Sequence, residues 1–251
     1  MQVISNSYTM FKRCLVTSLR NPENIGTAIF VPAIVMALFG ILFGNVMDVG
    51  DYNYIDFIVP GIILQTVAQA VTSVAISVNN DMNKGIIDRF RSMRISKSSV
   101  LTGHVLSAIV RNMIATVVVI AVAFAIGFRP QAGFVDWLVI AGILVLYMLA
   151  ITWIAVICGL IAKTPESAGT MPFLLFVLPY ISSGFVPVET MPRGLRLFAE
   201  NQPMTPIIDS MRALTLGMPA GNNLWLGIIW CVGIIIVSFT IAVQVYKRKL
   251  R

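Results

Sequence analysis

Apolar residues in this chain occur in runs of roughly 20, the number that spans the hydrocarbon core of a bilayer as a helix, and short segments between the runs carry most of the charges. Charged residues make up only 12 % of the 251 residues and hydrophobic residues make up 57 %. Soluble domains carry about 25 % charged residues, so lipid must replace water over much of this surface. The runs do not alternate apolar and polar residues as strands of a membrane barrel do. The pattern therefore predicts an all-α membrane protein.

Six of the runs are long enough to be membrane-spanning helices, and together they make residues 1–251 a single transmembrane domain. Prolines within spans are tolerated because neighbouring groups satisfy the freed carbonyls. Before the first run, residues 7–20 place apolar side chains at helical spacing among basic ones, which predicts an N-terminal helix lying in the membrane interface. The predicted spans are Ile25–Val46, Ile55–Val78, Val100–Phe128, Phe134–Ala162, Thr170–Val186 and Leu224–Tyr246.

The basic residues predict which side of the membrane each segment occupies, because cytoplasmic segments are enriched in Lys and Arg. With the N-terminus inside, the first external loop carries Asp48, Asp51 and Asp56 and no basic residue. This bias predicts an even number of spans, with both termini in the cytoplasm of a bacterium. The net charge of +7 then reflects topology and not nucleic-acid binding. Of the 18 Lys and Arg residues, the outside keeps only Arg129, Arg193, Arg196 and Arg212.

The sequence lacks the usual signatures of catalysis. GxSxG, HExxH and the phosphate-binding GxxxxGKS/T are all missing, and the three cysteines are far apart without a CxxC pair. The single histidine, His104, has no Cys or carboxylate nearby in the sequence and is interpreted as an interfacial residue. We therefore expect no catalytic residue, no metal site and no cofactor bound by this chain. The spans also lack the carboxylate or histidine relay of ion-driven transporters, so another subunit is expected to supply energy for any transport.

The loop between the second and third spans, residues 81–96, is basic and amphipathic. Ile86, Ile87, Phe90 and Met93 form one apolar helical face, and charged residues lie opposite. One interpretation is a helix parallel to the membrane, held by anionic lipid. The other is a docking helix that enters a groove on a cytoplasmic partner, with Phe90 as its anchor.

The second span carries polar side chains mostly on one face. Because polar groups are costly against lipid, this face should contact protein or a translocation path, and helix packing is at least as compatible with it as substrate contact. The side chains proposed for the path are Gln65, Gln69, Thr72 and Ser73.

The external stretch from Ser182 to Gly217 contains two amphipathic pieces, around 195–198 and 207–216, that are too short to cross a membrane. They are interpreted either as helices of an ordinary surface loop or as re-entrant helices that form an outer gate. The side chains proposed for the external gate are Phe185, Pro187, Met191 and Pro192.

Three segments resemble type-2 ABC transporter permeases, specifically the daunorubicin-resistance type of drug exporter. They are Gly85–Met93 after Asp81, Phe185–Pro192, and Asn201–Arg212, and the likeness covers nearly the whole chain. The chain departs from the family pattern at four places. Proline is frequent in the family at Arg94, arginine is frequent at His104, and an acidic residue is usual near Ala108. Gln202 is inserted between Asn201 and Pro203.

The resemblance implies a permease that pairs with a second copy or a paralogue, and that binds two copies of a separate P-loop ATPase carrying ATP and Mg²⁺. It implies that the stretch after the fifth span forms external re-entrant helices. We therefore expect an exporter subunit in the bacterial cytoplasmic membrane for a drug, antibiotic or lipid-like amphipathic compound. The alternatives are an ion-gradient-driven secondary transporter and a non-transporting membrane partner or immunity protein. The resemblance places the coupling helix for the ATPase at Asp81, Gly85, Asp88, Arg89, Phe90 and Met93.

Overall fold

The computed structural model describes residues 22–44, 53–83 and 97–249, and the regular structure in these ranges is helical. The predicted all-α fold is thus confirmed, whereas the predicted interfacial helix at 7–20 and residues 84–96 of the predicted coupling helix lie outside the described residues. Two 3₁₀ turns occur at Leu178–Ile181 and Val188–Thr190. The α-helices are α1 (Pro22–Phe43), α2 (Tyr54–Asn83), α3 (Lys97–Ile126), α4 (Phe134–Ile161), α5 (Pro165–Thr170), α6 (Phe173–Val177), α7 (Arg193–Asn201), α8 (Met204–Thr215) and α9 (Gly221–Lys249).

Four described helices, α2, α3, α4 and α9, are long and apolar enough to cross a membrane. They coincide with the predicted second, third, fourth and sixth spans. Helix α1 coincides with the predicted first span and contains a shorter apolar stretch, Phe30–Phe43.

Helix α2 is the centre of the bundle and packs against α1, α3, α4, α5 and α8. In the most apolar stretch of α2, 72 % of the residues are buried, whereas in the most apolar stretch of α9 only 22 % are buried. Helix α9 instead exposes large apolar side chains such as Trp225, Ile229 and Ile236. Such an exposed surface fits contact with lipid, where apolar side chains carry no penalty.

Helix α2 continues to Asn83, five residues beyond the predicted end of the second span at Val78. The reason is that Asn79 has a structural role: its Nδ2 donates to the carbonyls of Gly159 at 3.1 Å and Ala162 at 2.7 Å. The two helices can approach because a Cβ on Gly159 would stand only 2.5 Å from a backbone oxygen of α2. A buried asparagine with satisfied donors is therefore part of the α2–α4 interface.

The predicted fifth span, Thr170–Val186, is not one continuous helix. The helical path begins earlier, at Pro165, where Thr164 caps α5 by accepting from the backbone N–H of Ser167 at 3.3 Å. It then breaks around Pro172, and it ends in a 3₁₀ turn that contains Pro179. Proline lacks a backbone N–H and clashes with the preceding turn, which favours a break at these two positions, although α2 continues through Pro60. We call residues 165–185 the broken segment.

The broken segment runs along α2 in the opposite direction. Gly169 lies against Ile76 of α2, and Gly184 lies against Gly61, close enough that a Cβ on Gly61 would stand 2.5 Å from the Gly184 carbonyl oxygen. We call the end of the bundle that contains Asp81, His104 and Ala162 the basal end. The apical end is the opposite one, where residues 54–57 of α2 meet residues 183–185 of the broken segment.

Candidate functional site

Gln65, the first residue proposed for the path, is fully buried on α2 opposite the broken segment. Its Nε2 donates to the hydroxyl of Tyr180 at 2.5 Å, whereas its Oε1 has no hydrogen-bond partner among the described residues. The Oε1 of Gln69, about one turn further along α2, is also buried without a partner in the described part of the chain. A buried acceptor without a partner costs about 1–3 kcal/mol. The interior of the bundle therefore contains two amide oxygens that have no partner among the described residues.

The other two residues proposed for the path are half-buried nearer the basal end. Thr72 lies beside Gly169 of α5, with its methyl carbon 3.6 Å from the position that a Cβ on Gly169 would take. Ser73 donates its hydroxyl to the carbonyl of Ala70 at 2.8 Å, so its hydroxyl is bonded within α2. The structure thus places Gln65 and Thr72 against the broken segment and gives Ser73 a local bond.

Phe185, the first residue proposed for the external gate, is buried in an aromatic cluster at the apical end. Its ring stacks on Tyr180, with centroids 4.8 Å apart and an interplanar angle of 12°. Phe39 of α1 packs against the ring of Phe185 with a centroid distance of 5.0 Å. The backbone carbonyl of Phe185 accepts a hydrogen bond from the Tyr54 hydroxyl at 2.8 Å. Phe185 therefore joins α1, α2 and the broken segment.

The remaining gate residues form the turn that follows. The carbonyl of Pro187 accepts from the backbone N–H of Thr190 at 3.1 Å, and Met191 donates to Val188 at 3.2 Å. Pro192 is exposed and starts α7. Of the four proposed gate residues, only Phe185 lies in the core, while the other three shape the chain between it and α7.

Arg212 of α8 makes several of the apical polar contacts, although the sequence indicated only its external position and its place in the segment Asn201–Arg212. Its guanidinium donates to the carbonyls of Phe57, at 3.1 Å, and Ser183, and to a carboxylate oxygen of Asp209 at 2.8 Å. Burial lowers the pKa of Arg212 to about 10. Burial also raises the pKa of Asp209, and the neighbouring Arg212 counteracts part of that rise. The pair ties α8 to α2 and to the broken segment.

Gln202, which is inserted relative to the family pattern, contacts the same region. Its Nε2 donates to the carbonyl of Ile181 at 2.7 Å and lies 3.4 Å from the carbonyl of Leu178. Carbonyls at the end of a helix lack partners within that helix. Gln202 therefore caps the end of the broken segment, and the insertion itself was the signal in the sequence.

At the basal end, Asp81 is the only proposed coupling residue within the described ranges, and Nε2 of His104 lies 3.1 Å from its Oδ2. No carboxylate is close to His104 in the sequence, yet the fold brings Asp81, 23 positions away along the chain, adjacent to it in space. The other proposed coupling residues lie outside the described residues; they are Gly85, Asp88, Arg89, Phe90 and Met93.

Comparison with known proteins covers all of these regions. The family model described as ABC-2 type transporter matches residues 6–216. The daunorubicin resistance ABC transporter permease protein DrrB1 of Streptomyces coeruleorubidus is 27 % identical over 250 residues, which is 98 % of this chain and 87 % of that protein. The probable doxorubicin resistance ABC transporter permease protein DrrC of Mycobacterium tuberculosis is 23 % identical over 250 residues, 98 % and 89 % of the two chains. The inner membrane transport permease YadH of Escherichia coli is 26 % identical over 195 residues, 74 % and 75 % of the two chains.

Proposed function

This chain belongs to the ABC-2 type transporter family, and we propose that it is the membrane-spanning permease subunit of an ATP-binding cassette exporter. The observation that carries the proposal is the family match over residues 6–216, which includes every proposed site residue. Similarity over nearly the whole chain to permeases named for daunorubicin and doxorubicin resistance favours export of a drug, an antibiotic or a lipid-like amphipathic compound.

We propose that a separate P-loop ATPase, in two copies, supplies the energy and binds ATP and Mg²⁺, and that the permease itself is not an enzyme. The sequence supports this division because it contains no GxxxxGKS/T loop. The basic, amphipathic sequence between α2 and α3 is suited to a groove on such a partner, with Phe90 as the anchor and Asp81, Gly85, Asp88 and Arg89 beside it. A second copy or a paralogue completes the permease.

We propose that the chain crosses the membrane six times, with the basal end and both termini in the cytoplasm. The four span-length helices and α1 account for five crossings, and the broken segment is the sixth. It lies along α2 from Ile76 to Tyr54, a distance of about 33 Å at the rise of an α-helix. This matches the roughly 30 Å of a hydrocarbon core. The bias of Lys and Arg supports the orientation in a bacterial cytoplasmic membrane.

The cargo path is proposed along the interface of α2 with the broken segment, where Gln65, Gln69 and Thr72 lie. Phe185 would then close the apical exit, because its ring packs against both α1 and Tyr180. Helices α7 and α8 have 9 and 12 residues, which is too short to cross, since crossing takes about 20 residues. We therefore propose that both stay on the apical side as re-entrant helices.

Co-expression with a P-loop ATPase and reconstitution of the purified pair tests the proposal. Wild type should form a stable complex and export a fluorescent amphipathic cation only when ATP is supplied. Phe90→Asp and Gly85→Pro should abolish complex recovery, whereas Lys163→Gln, an exposed change between α4 and α5, should retain it. Full transport by this chain without any ATPase, driven by an ion gradient, would contradict the proposal and favour a secondary transporter.

A further inference from the structure

The basal ends of α2 and α3 are joined by a contact between the buried side chain of His104 and the half-buried side chain of Asp81. Nε2 of His104 lies 3.1 Å from Oδ2 of Asp81, and the two side chains are 5 % and 13 % exposed. Asp81 lies two residues before the end of α2 at Asn83, and His104 lies about two turns after the start of α3 at Lys97. The contact therefore joins the two helices close to where the chain leaves one and enters the other.

The same turn of α2 is also bound to α4. Asn79 donates to the carbonyls of Gly159 and Ala162, and Asn83 donates to Oδ1 of Asn79 at 2.8 Å. The last turns of α2 are thus held on one side by α4 and on the other by α3. The contact with α4 uses two backbone carbonyls, whereas the Asp81–His104 contact with α3 joins two side chains.

Helix α2 connects the basal end of the bundle to the apical end without interruption. Gln65 of α2 donates to Tyr180, and Tyr54, in the first turn of α2, donates to the carbonyl of Phe185. A continuous helix transmits a displacement along its axis, provided that its end is fastened to whatever is being moved. The Asp81–His104 contact fastens α2 to α3 close to their basal ends, and Arg111 of α3 approaches the Ala70 carbonyl of α2 at 3.4 Å further along.

We propose that His104 is a positioning residue for ATP-driven transport. With Asp81 it fastens the first turns of α3 to the last turns of α2, so that both helices move as one body when the partner ATPase acts on the segment that connects them. The inference rests on the proposed function, and it adds a residue and a physical role that the coupling-helix assignment does not contain. If His104 served packing alone, its loss would lower stability and leave the transport per ATP hydrolysed unchanged.

The fastening is tested first without any ATPase, by hydrogen–deuterium exchange of the full chain in lipid nanodiscs. His104→Leu and Asp81→Ala should each raise the exchange rate of the backbone amides of residues 101–106 by about 5-fold or more. The double variant should be no faster than either single variant, because all three lose the same contact. His104→Arg, which can still donate to Asp81, should stay close to wild type. The control Glu200→Gln removes an ion pair from α7 at the apical end and should have no effect on these amides.

The coupling role is tested in the reconstituted complex with the ATPase. His104→Leu should reduce transport per ATP hydrolysed by about 5-fold or more, the scale of a typical coupling free energy, and His104→Arg should restore it. If wild type couples transport to ATP and His104→Leu transports as much per ATP, the inference is overturned while the proposed function stands. If wild type neither binds the ATPase nor exports, the proposed function fails, and the role of His104 in transport fails with it. An unchanged exchange rate in His104→Leu overturns the fastening by itself.

Discussion

The guanidinium of Arg212 on α8 lies over the ring of Phe57 on α2, 3.7 Å from the ring centroid, and donates to the backbone carbonyl of the same residue at 3.1 Å. Stacking and hydrogen bonding by one side chain require a planar cation with several donors, which arginine has and lysine lacks. One residue of α8 therefore fixes both the distance and the orientation of that helix relative to the start of α2.

Arg212→Lys should destabilise the protein although it keeps the charge. A lysine ammonium cannot stack on the Phe57 ring as the planar guanidinium does, and it leaves the buried carbonyl of Phe57 or Ser183 without a donor. The free energy of unfolding should therefore fall by about 2 kcal/mol. The measurement is the Tm of the chain purified in detergent. The matched control is Arg196→Lys, whose ion pair with Glu200 is 46 % and 43 % exposed and should leave Tm unchanged. Equal Tm values for the two variants would contradict the role of Arg212.

Gly61→Ala should disrupt the contact between α2 and the broken segment. The new Cβ would stand 2.5 Å from the carbonyl oxygen of Gly184 and 2.7 Å from its Cα, and neither is a flexible side-chain atom. Overpacking of this kind costs about 3 kcal/mol, so we expect a large loss of monodisperse protein in size-exclusion chromatography.

Gly142→Ala is the control for that experiment, because Gly142 lies on an exposed face of α4 and a Cβ there would meet nothing within 4 Å. It should fold as well as wild type. If Gly61→Ala behaved in the same way, the close approach of Gly61 and Gly184 would be wrong.

Tyr180→Phe and Gln65→Leu should separate stability from transport. Removing the Tyr180 hydroxyl leaves the buried Gln65 amide without its acceptor, which should cost about 1–2 kcal/mol. Adding Gln65→Leu to Tyr180→Phe removes the amide altogether and should recover most of that stability. If Gln65 contacts cargo, the recovered double variant still exports less than wild type. Wild-type export by this stable double variant would restrict Gln65 to packing. Thermal unfolding and vesicle export assays measure the two effects.

Asn79→Asp changes hydrogen-bond donors into acceptors with almost no change in volume. The new carboxylate would face the carbonyl oxygens of Gly159 and Ala162, where Asn79 now donates, and the repulsion and the buried charge should cost about 3 kcal/mol. The isosteric control is Asn201→Asp at the exposed end of α7, where Asn201 donates to Leu197 of the same helix. Thermal melts of both variants should differ by several degrees, and coincident melts would refute the α2–α4 link.

Hydropathy predicted the long helices well because each of them is a continuous apolar run, and it failed where side-chain contacts across the bundle decide the structure. The run from Thr170 to Val186 is apolar enough to be a span, but Pro172 and Pro179 break it, and Gln202 from a later segment caps its end. The polar residues from Asn79 onward looked like the end of a span, yet they continue α2 because α4 provides acceptors. Both outcomes depend on partners that are distant in the sequence.

The sequence pointed to buried residues among the proposed site residues where the signal is local. Polar residues on an apolar helix marked Gln65, and the motif around Phe185 marked the apical core. The partner of His104 could not be predicted from local sequence, because Asp81 is 23 positions away and only folding brings it beside the imidazole. Arg212 stood in a family-like motif, but its position over Phe57 follows only from the packing of α8 on α2.

The clamp between Arg212 and Phe57 joins residues 155 positions apart, which has a consequence for how the protein is made. At synthesis rates of about 5–20 residues per second, Phe57 is synthesised roughly 8–30 s before Arg212. During that interval the start of α2 lacks its contact with the Arg212 guanidinium, whichever other helices it already contacts. The contact between α8 and α2 at the apical end can thus form only after α1 to α7 have been synthesised, so the arrangement of that end is completed late in the production of the chain.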